Sequence, residues 1–273
     1  MVARKHGDEV RAADGQDRIA LADAASRAAA VVYSPDEVSG RADEIYHLVL
    51  EESGTIDDGN FDSAHPDDLK RLFHTYDEVF FDGLFGCLLR SGNHQISFRF
   101  SSRMTSAGGK TGRRPLGRAG ASYAIEIAVS TVLLAMGFDE SARKITVCGR
   151  ECGDRLQALQ RVFEHELIHL LEMLIWGKSS CAARQFAGLA GRIFGHTEMT
   201  HRMITPREHA AVEHGIRAGD RVEFEFEGDR HVGIVNRITR RATVLVESAD
   251  GRLYSDGNRY AKFYVPVEAL TRA

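Results

Sequence analysis

The apolar positions of the chain follow their clearest pattern between residues 154 and 176. Apolar side chains recur there every three or four positions, at Leu156, Leu159, Phe163, Leu167, Leu170, Leu171 and Leu174. This spacing is that of one face of an α-helix. Asp154 is placed to cap its first turn, and Gly177 is placed to end it. We therefore predict a long amphipathic helix over 154–176.

A second apolar stripe with helical spacing follows directly, at Ala183, Phe186, Ala187, Ala190, Ile193 and Phe194. Ser179 or Ser180 can cap this second helix, and Gly195 can end it. Because only a short connection separates the two stripes, we expect the helices to form a hairpin.

Other segments alternate between apolar and polar residues, which is the pattern of a β-strand. Residues 95–104 and 121–130 do so, and the run between them is expected to be a loop that joins two strands. After Gly219, short alternating segments are separated by the turn pairs Asp250-Gly251 and Asp256-Gly257. Four or five short strands in this stretch predict a small SH3-like or KOW-like barrel.

These patterns divide the chain into three parts and predict an α+β fold. Residues 1–64 hold 6 lysines and arginines against 14 acids and are rich in alanine. We expect them to form a tail or helical extension, with a helix at about 42–51. Residues 65–216 form the main domain, with the helical hairpin and a small β-sheet, and residues 217–273 form the all-β barrel.

Composition places the chain among ordinary globular proteins. Of its 273 residues, 43% are hydrophobic and 27% are charged. The first residues are polar, and the longest apolar run, 127–138, is too short to span a bilayer. We therefore expect a cytoplasmic protein without a membrane partner. Its four cysteines form no C-x-x-C pair, which argues against a zinc ribbon and against a disulfide framework.

The segment 98–118 carries several basic side chains and no acidic one. It is either a solvated loop or a contact surface for a polyanion, including DNA, or for a substrate. Its Gly109–Thr111 stretch resembles the end of a phosphate-binding loop, but Met104 stands where that motif requires its first glycine, which argues against a nucleotide site. The candidate contact residues are Arg99, Arg103, Lys110, Arg113 and Arg114.

The first predicted helix contains His165, Glu166 and His169 in the pattern H-E-x-x-H. Histidines four residues apart project from one helix face, one turn apart, so that both imidazoles can bind a single zinc ion. Glu166 is placed to take a proton from a water molecule that the metal activates. The motif therefore predicts Zn²⁺ as cofactor and a hydrolytic site with Glu166 as general base.

Three stretches in order carry a resemblance to a known family. They are "LKRLFHTYDEVFFDGLF", "SFRFSSRMTSAGGKTGRR" with "YAIEIAVSTVLL", and "VFEHELIHLLEMLIWG". Through these stretches, residues 65–205 resemble the SprT-like family of zinc metallopeptidases. The resemblance implies a zincin-like metallopeptidase core, a protein or peptide substrate, and action on proteins attached to DNA.

The chain departs from that family at the third zinc ligand. In the family, this ligand is a histidine four residues before an aromatic residue that follows the second motif histidine by about 17 positions. Phe186 follows His169 by 17 positions, but Ala182 stands where the histidine is expected. The ligand must therefore come from elsewhere in the chain.

His196 is the substitute that we expect, and Cys181, His201 and Glu198 are the alternatives. At about 1.5 Å per residue, a helix that returns from Gly177 brings His196 back to the level of residues 163–165. Cys181 would stay near the turn unless the loop folds back. His201 is also suited to a place beside a ligand or on the substrate side, and Glu172 is expected to partner a ligand histidine or a nearby cation.

Two functions of different class are consistent with these features. The first is a zinc-dependent peptidase of the SprT-like class. The second is a non-catalytic module, stabilised by zinc, that recruits nucleic acid or a protein partner through the barrel. Glu166 distinguishes them, because a purely structural zinc site has no use for a carboxylate at that position.

Overall fold

A computed structural model of the chain describes residues 23–117, 122–138 and 143–273. It is a mixed α+β structure, as predicted. The elements before the long helix are α1 (23–30), α2 (Pro35–Glu52), α3 (Pro66–Phe81), α4 (Leu84–Ser91), β1 (Gln95–Ser101), β2 (Gly109–Leu116), β3 (Ser122–Ser130), α5 (Thr131–Ala135), β4 (Ile145–Val147) and β5 (Arg150–Cys152). The elements after them are α6 (Arg155–Trp176), α7 (Arg184–Phe194), α8 (Pro206–Glu213), β6 (Arg221–Phe226), β7 (Asp229–Ile238), β8 (Ala242–Leu253), β9 (Arg259–Val265), a 3₁₀ turn (Val267–Ala269) and β10 (Thr271–Arg272).

Helix α6 confirms the prediction from apolar spacing. The Asp154 side chain accepts a hydrogen bond from the backbone N–H of Gln157, which caps the first turn. Gly177 ends the helix in the left-handed conformation, which glycine adopts without steric cost. The sequence therefore determines both ends of this helix locally.

Helix α7 begins later than predicted. It starts at Arg184, with Ala183 as its N-cap, and neither Ser179 nor Ser180 caps it. Residues 178–183 instead form a loop between the two helices. The connection between α6 and α7 is thus longer than the apolar spacing predicted. The side chains of this longer loop, residues 178–183, can therefore contact α6.

The first sheet has the order β1-β3-β2, with β1 parallel and β2 antiparallel to β3. The prediction of a loop between residues 95–104 and 121–130, which form β1 and β3, is wrong in part, because residues 109–116 form β2. The segment is polar, and its residues are half-buried or exposed, which is typical of an edge strand. Strand β2 lies over α6, and this contact shapes the site described below.

The main core is built on aromatic contacts between α3 and the helical hairpin. The Tyr76 ring lies 6.1 Å from that of Phe163, and the Phe80 ring lies 4.9 Å from that of Phe194. The same cluster of buried side chains includes Ala28 in α1.

The N-terminal part is not a separate tail within the described residues. Helix α2 confirms the helix predicted at about 42–51 and extends it in both directions. Its buried residues Ile45 and Val49 belong to the main core, as do Ile56 and Phe61. The predicted boundary at residue 64 is therefore not a boundary between cores, and residues 1–22 lie outside the described part of the chain.

The C-terminal part contains a five-stranded antiparallel sheet in the order β10-β6-β7-β8-β9. It has its own buried cluster, to which Ala210 and Ile216 contribute side chains. Helix α8 thus packs on this sheet, although it precedes the predicted boundary at residue 217. A two-point ion pair between Arg143 and Glu208, with bonds of 2.9 Å, ties α8 back to the main domain.

Among the helices in the described ranges, none is long and apolar enough to cross a membrane.

Candidate metal centre

The two motif histidines lie side by side on α6. Their ring centroids are 4.9 Å apart. Both rings also pack on Phe186 of α7, at 4.8 Å from His165 and 4.5 Å from His169. Phe186, which stands at the aromatic position 17 residues after His169, therefore packs against both imidazole rings.

Each histidine has a partner on its Nδ1 atom. His165 Nδ1 lies 3.7 Å from Sγ of Cys148, and His169 Nδ1 lies 2.7 Å from Oγ of Ser179. Ser179 in turn donates a 2.5 Å hydrogen bond to the carboxylate of Glu172. These contacts engage Nδ1 of each ring and leave Nε2 as the nitrogen suited to a metal.

Cys181 provides the third possible metal-binding atom. Its Sγ and one ring nitrogen from each of His165 and His169 all lie within 4.8 Å of one another. The loop 178–183 turns back toward α6 and brings the thiol to the histidines. Two imidazoles and a thiolate are a donor set that zinc accepts in catalytic sites, with the fourth position open to solvent or substrate. The residues present therefore fit zinc.

The structure corrects the expectation that His196 is the third ligand. His196 does return to the level of residues 163–165, but it faces Glu164 and not His165. Its Nε2 lies 2.8 Å from Oε2 of Glu164, and both side chains are fully buried. The rise per residue gave the correct level on α6 but not the correct face. Glu164 and His165 point about 100° apart, because they are successive residues of an α-helix.

Glu164 explains why His196 lies on that face. The fully buried carboxylate also accepts hydrogen bonds from Arg161 at 2.5 Å and from the hydroxyl of Tyr76 at 2.8 Å. Burial would raise the pKa of Glu164, but the charge of Arg161 and the contact with His196 outweigh it and lower the pKa to about 2. A buried carboxylate needs such partners, so His196 belongs to the buried pair with Glu164 and not to the group of candidate metal ligands.

Glu166 is buried beside the histidines and is held by β2. Its side chain accepts a 2.8 Å hydrogen bond from the hydroxyl of Thr111. Burial raises the pKa of Glu166 to about 7, against the lowering effect of the Thr111 bonds. A carboxyl group with a pKa near neutrality is suited to accept and release a proton at physiological pH.

Gly109 lets β2 approach this carboxylate. A Cβ atom at this position would lie 2.6 Å from Cγ of Glu166, which is closer than real contacts allow. The glycine of the apparent phosphate-binding motif therefore serves a different purpose, because it makes room for the motif glutamate.

The environment of the two motif histidines favours their neutral form, because burial lowers the pKa of both. Burial, followed by the proximity of His169, lowers the pKa of His165 to about 3, and burial lowers the pKa of His169 as well. A neutral imidazole is the form that binds a metal. Burial of both rings therefore favours the form that a metal would require.

The candidate ligands and Glu166 line a cleft of about 1300 Å³. Helix α6 forms its floor, and residues 106–111 at the start of β2 form one wall. Residues 198–203 contribute to the other wall, where the backbone of His201 pairs with Val147 of β4. The candidate ligands and Glu166 thus lie together at one cleft.

The two remaining ligand candidates line this cleft but are not part of the metal group. His201 Nε2 lies 3.1 Å from the carbonyl oxygen of Ser106, so that this imidazole joins the two walls of the cleft. Glu198 pairs with Arg202 at 3.5 Å. Neither belongs to the cluster of close ligand atoms found in the described residues. His201 therefore lines the cleft outside the candidate metal group, and its place on the substrate side stays a prediction.

Two of the five basic candidates have structural contacts. Arg99 forms a 2.8 Å ion pair with Glu126. Arg113 donates a 2.6 Å hydrogen bond to the carbonyl of Gly177 and lies over the ring of Tyr123 at 4.2 Å. A cation at the C-terminal end of α6 is favourable, because the last carbonyl groups of a helix carry partial negative charge. Arg113 thus caps α6.

The other three basic candidates are exposed. Lys110 is part of the cleft lining, next to Thr111. Arg103 lies just after β1 and Arg114 lies within β2. These three side chains stay available for a substrate or a polyanion.

Three residues of the site were not singled out in the sequence as site residues. Thr111 orients Glu166, Ser179 contacts His169, and Cys148 contacts His165. In the sequence, Thr111 belongs to the apparent phosphate-binding stretch, Ser179 is a possible helix cap, and Cys148 is one of four cysteines. Their contacts span 10 to 55 residues of chain, so that only the fold reveals them.

Compared with known proteins, the chain matches no family model, no curated protein and no solved structure. Any function proposed for the chain therefore depends on the geometry of the cleft.

Proposed function

We propose that this chain is a zinc-dependent peptidase of the SprT-like class. His165, His169 and Cys181 would hold the zinc ion, and Glu166 would act as general base. The observation that carries the proposal is the convergence of two imidazole nitrogens and one thiol within 4.8 Å, beside a buried carboxyl group whose pKa is raised to about 7.

The chemistry divides between the metal and the protein. When bound, zinc would supply the Lewis acidity that activates a water molecule and polarises a substrate carbonyl. Glu166 takes the proton of the attacking water and passes it to the leaving amine. Thr111 keeps the carboxylate in one orientation, and the buried environment keeps its proton affinity near neutral pH.

Strand β2 supports a peptide as the substrate. It is an edge strand, and its residues 109–111 form a wall of the cleft. Unpaired backbone groups on such an edge can pair with an extended peptide. A substrate that adds to β2 would place its backbone across the groove above the motif histidines.

The proposal includes a zincin-like fold for the main domain and an SH3-like fold for the C-terminal part. A small mixed sheet over the helix that carries the motif supports a zincin-like core. The five-stranded antiparallel sheet supports an SH3-like C-terminal module. DNA as a partner stays a prediction, which Arg103, Lys110 and Arg114 would carry.

The test compares hydrolysis of a mixed, internally quenched peptide library by the wild type and by Glu166→Gln, with zinc measured in both. We expect about one zinc per chain in each protein, and a loss of at least about 100-fold in activity for the variant, because it removes the proton acceptor without removing a ligand. Glu198→Gln is the matched control, since it neutralises a cleft carboxylate outside the metal group. Zinc binding without any Glu166-dependent hydrolysis would favour the non-catalytic module instead.

A further inference from the structure

Glu172 is a buried carboxylate with an unusual position. It lies on α6, one turn after His169, with only 3% of its surface exposed. Its Oε2 accepts the 2.5 Å hydrogen bond from the hydroxyl of Ser179. The proposed chemistry does not use this carboxylate, so that its burial calls for another explanation.

Ser179 links this carboxylate to a ligand histidine. A serine hydroxyl has one proton, and Ser179 donates it to Oε2 of Glu172. The Ser179 oxygen must then accept from His169, which places a proton on His169 Nδ1 at 2.7 Å. The chain Glu172–Ser179–His169 therefore selects the tautomer in which Nε2 is free to bind a metal.

The same serine lies two residues before Cys181. Both residues belong to the loop 178–183, which closes with a 2.9 Å hydrogen bond from the N–H of Ala183 to the carbonyl of Ser180. Anchoring Ser179 to α6 at two atoms therefore fixes the start of the loop that brings the thiol to the histidines. One side chain orients one ligand and places another.

We propose that Ser179 is a positioning residue that couples His169 and Cys181 into one metal site, with Glu172 as its anchor. The inference rests on the proposed zinc site. It adds that the third ligand depends on a hydroxyl group outside the H-E-x-x-H motif. Without that hydroxyl, His169 loses its fixed tautomer and the loop loses its attachment to α6.

The experiment measures zinc affinity by competition with a chromophoric chelator for the wild type, Ser179→Ala and Ser179→Thr. We expect Ser179→Ala to weaken zinc binding by about 10- to 100-fold, the usual range when such a supporting contact is lost. Ser179→Thr keeps the hydroxyl and should stay within a few-fold of the wild type. Ser180→Ala is the matched control, because Ser180 lies in the same loop and contributes only a backbone carbonyl to it.

Two further readouts separate positioning from general stability. The Co²⁺-substituted Ser179→Ala protein should show a weaker thiolate-to-metal charge-transfer band, because Cys181 is no longer held in place. Because Ser179→Ala also removes the hydrogen-bond donor to the buried Glu172 carboxylate, the melting temperature of the metal-free variant should fall relative to Ser180→Ala, so zinc affinity is measured on the folded protein well below that temperature. Wild-type zinc affinity and an unchanged cobalt spectrum in Ser179→Ala would overturn the inference, whereas failure of the wild type itself to bind zinc would overturn the proposed function.

Discussion

The hydroxyl of Thr111 donates a 2.8 Å hydrogen bond to Oε2 of Glu166 and also lies 3.2 Å from the carbonyl oxygen of the same residue. Strand β2 and helix α6 are thereby joined at the residue proposed to move the proton. This contact links the edge of the sheet, where a peptide would bind, to the base that would act on it.

Thr111→Val tests the role of this contact. Valine has nearly the same shape but cannot donate, so that the Glu166 carboxylate loses its orienting bond. Because a hydrogen bond to a charged group contributes about 1.5–3 kcal/mol, we expect peptide hydrolysis to fall by about tenfold or more while zinc content stays at the wild-type level. Thr111→Ser should retain most of the activity, and equal activity of the valine variant would contradict the assignment.

Gly109→Ala tests the close approach of β2 to Glu166. The added Cβ would lie 2.6 Å from Cγ and Oε1 of Glu166, so that this flexible side chain must move away. We expect a folded, zinc-binding protein with at least about tenfold lower activity, since a misplaced base transfers protons poorly. Gly112→Ala is the control, because a Cβ there meets nothing within 4 Å.

Cys181→Ala tests the third ligand directly. We expect its zinc content to fall well below one per chain, whereas Cys87→Ala, which removes the other exposed thiol, should bind zinc normally. Alkylation followed by mass spectrometry gives an independent measurement. Zinc should protect Cys181 from iodoacetamide but leave Cys87 reactive, and equal labelling with and without zinc would exclude Cys181 from the site.

His196→Ala should have the opposite phenotype. It removes one partner of the fully buried Glu164, and breaking a buried pair costs about 3 kcal/mol or more in unfolding free energy. Zinc content of the folded fraction should remain at the wild-type level. Chemical denaturation and metal analysis together check this outcome, and loss of zinc at unchanged stability would restore His196 as a ligand.

The raised pKa of Glu166 predicts a pH dependence of stability in the metal-free protein. Between its ordinary value of 4.5 and its folded value of about 7, the folded state binds more protons at this site than the unfolded state does. The site's contribution to unfolding free energy is therefore complete below pH 4.5 and is lost as the pH rises through 7. Glu166→Gln lacks this pH-dependent contribution, because a glutamine side chain does not titrate.

We therefore expect the stability of metal-free Glu166→Gln, relative to the wild type, to increase from pH 4.5 to 7 by on the order of 3 kcal/mol and then to level off. The groups that shift the pKa of His165 are its buried surroundings and three other histidines, not Glu166, so the comparison is expected to cancel the contribution of His165. Urea denaturation at several pH values measures the difference. A difference that is constant with pH would show that Glu166 is not desolvated in the folded chain.

Features that depend only on neighbouring residues could be predicted from the amino-acid sequence. Apolar spacing and the flanking Asp154 and Gly177 define α6, because helix formation and capping are local. The positions of His165 and His169 on one face follow from the helical repeat alone. Even the level at which His196 returns could be derived from the rise per residue.

Other features could be seen only in the folded chain. They depend on the path of a loop or on which face of a helix a distant side chain contacts. Residues 178–183 leave the helical pattern, so that Cys181 reaches the histidines. His196 turns to Glu164 because a buried carboxylate must be compensated, and that requirement arises only once α6 is packed in the core. Thr111 reaches Glu166, 55 positions along the chain, because β2 pairs with β3 and packs over α6. The local alternation of residues 109–116 does not encode this register or this packing.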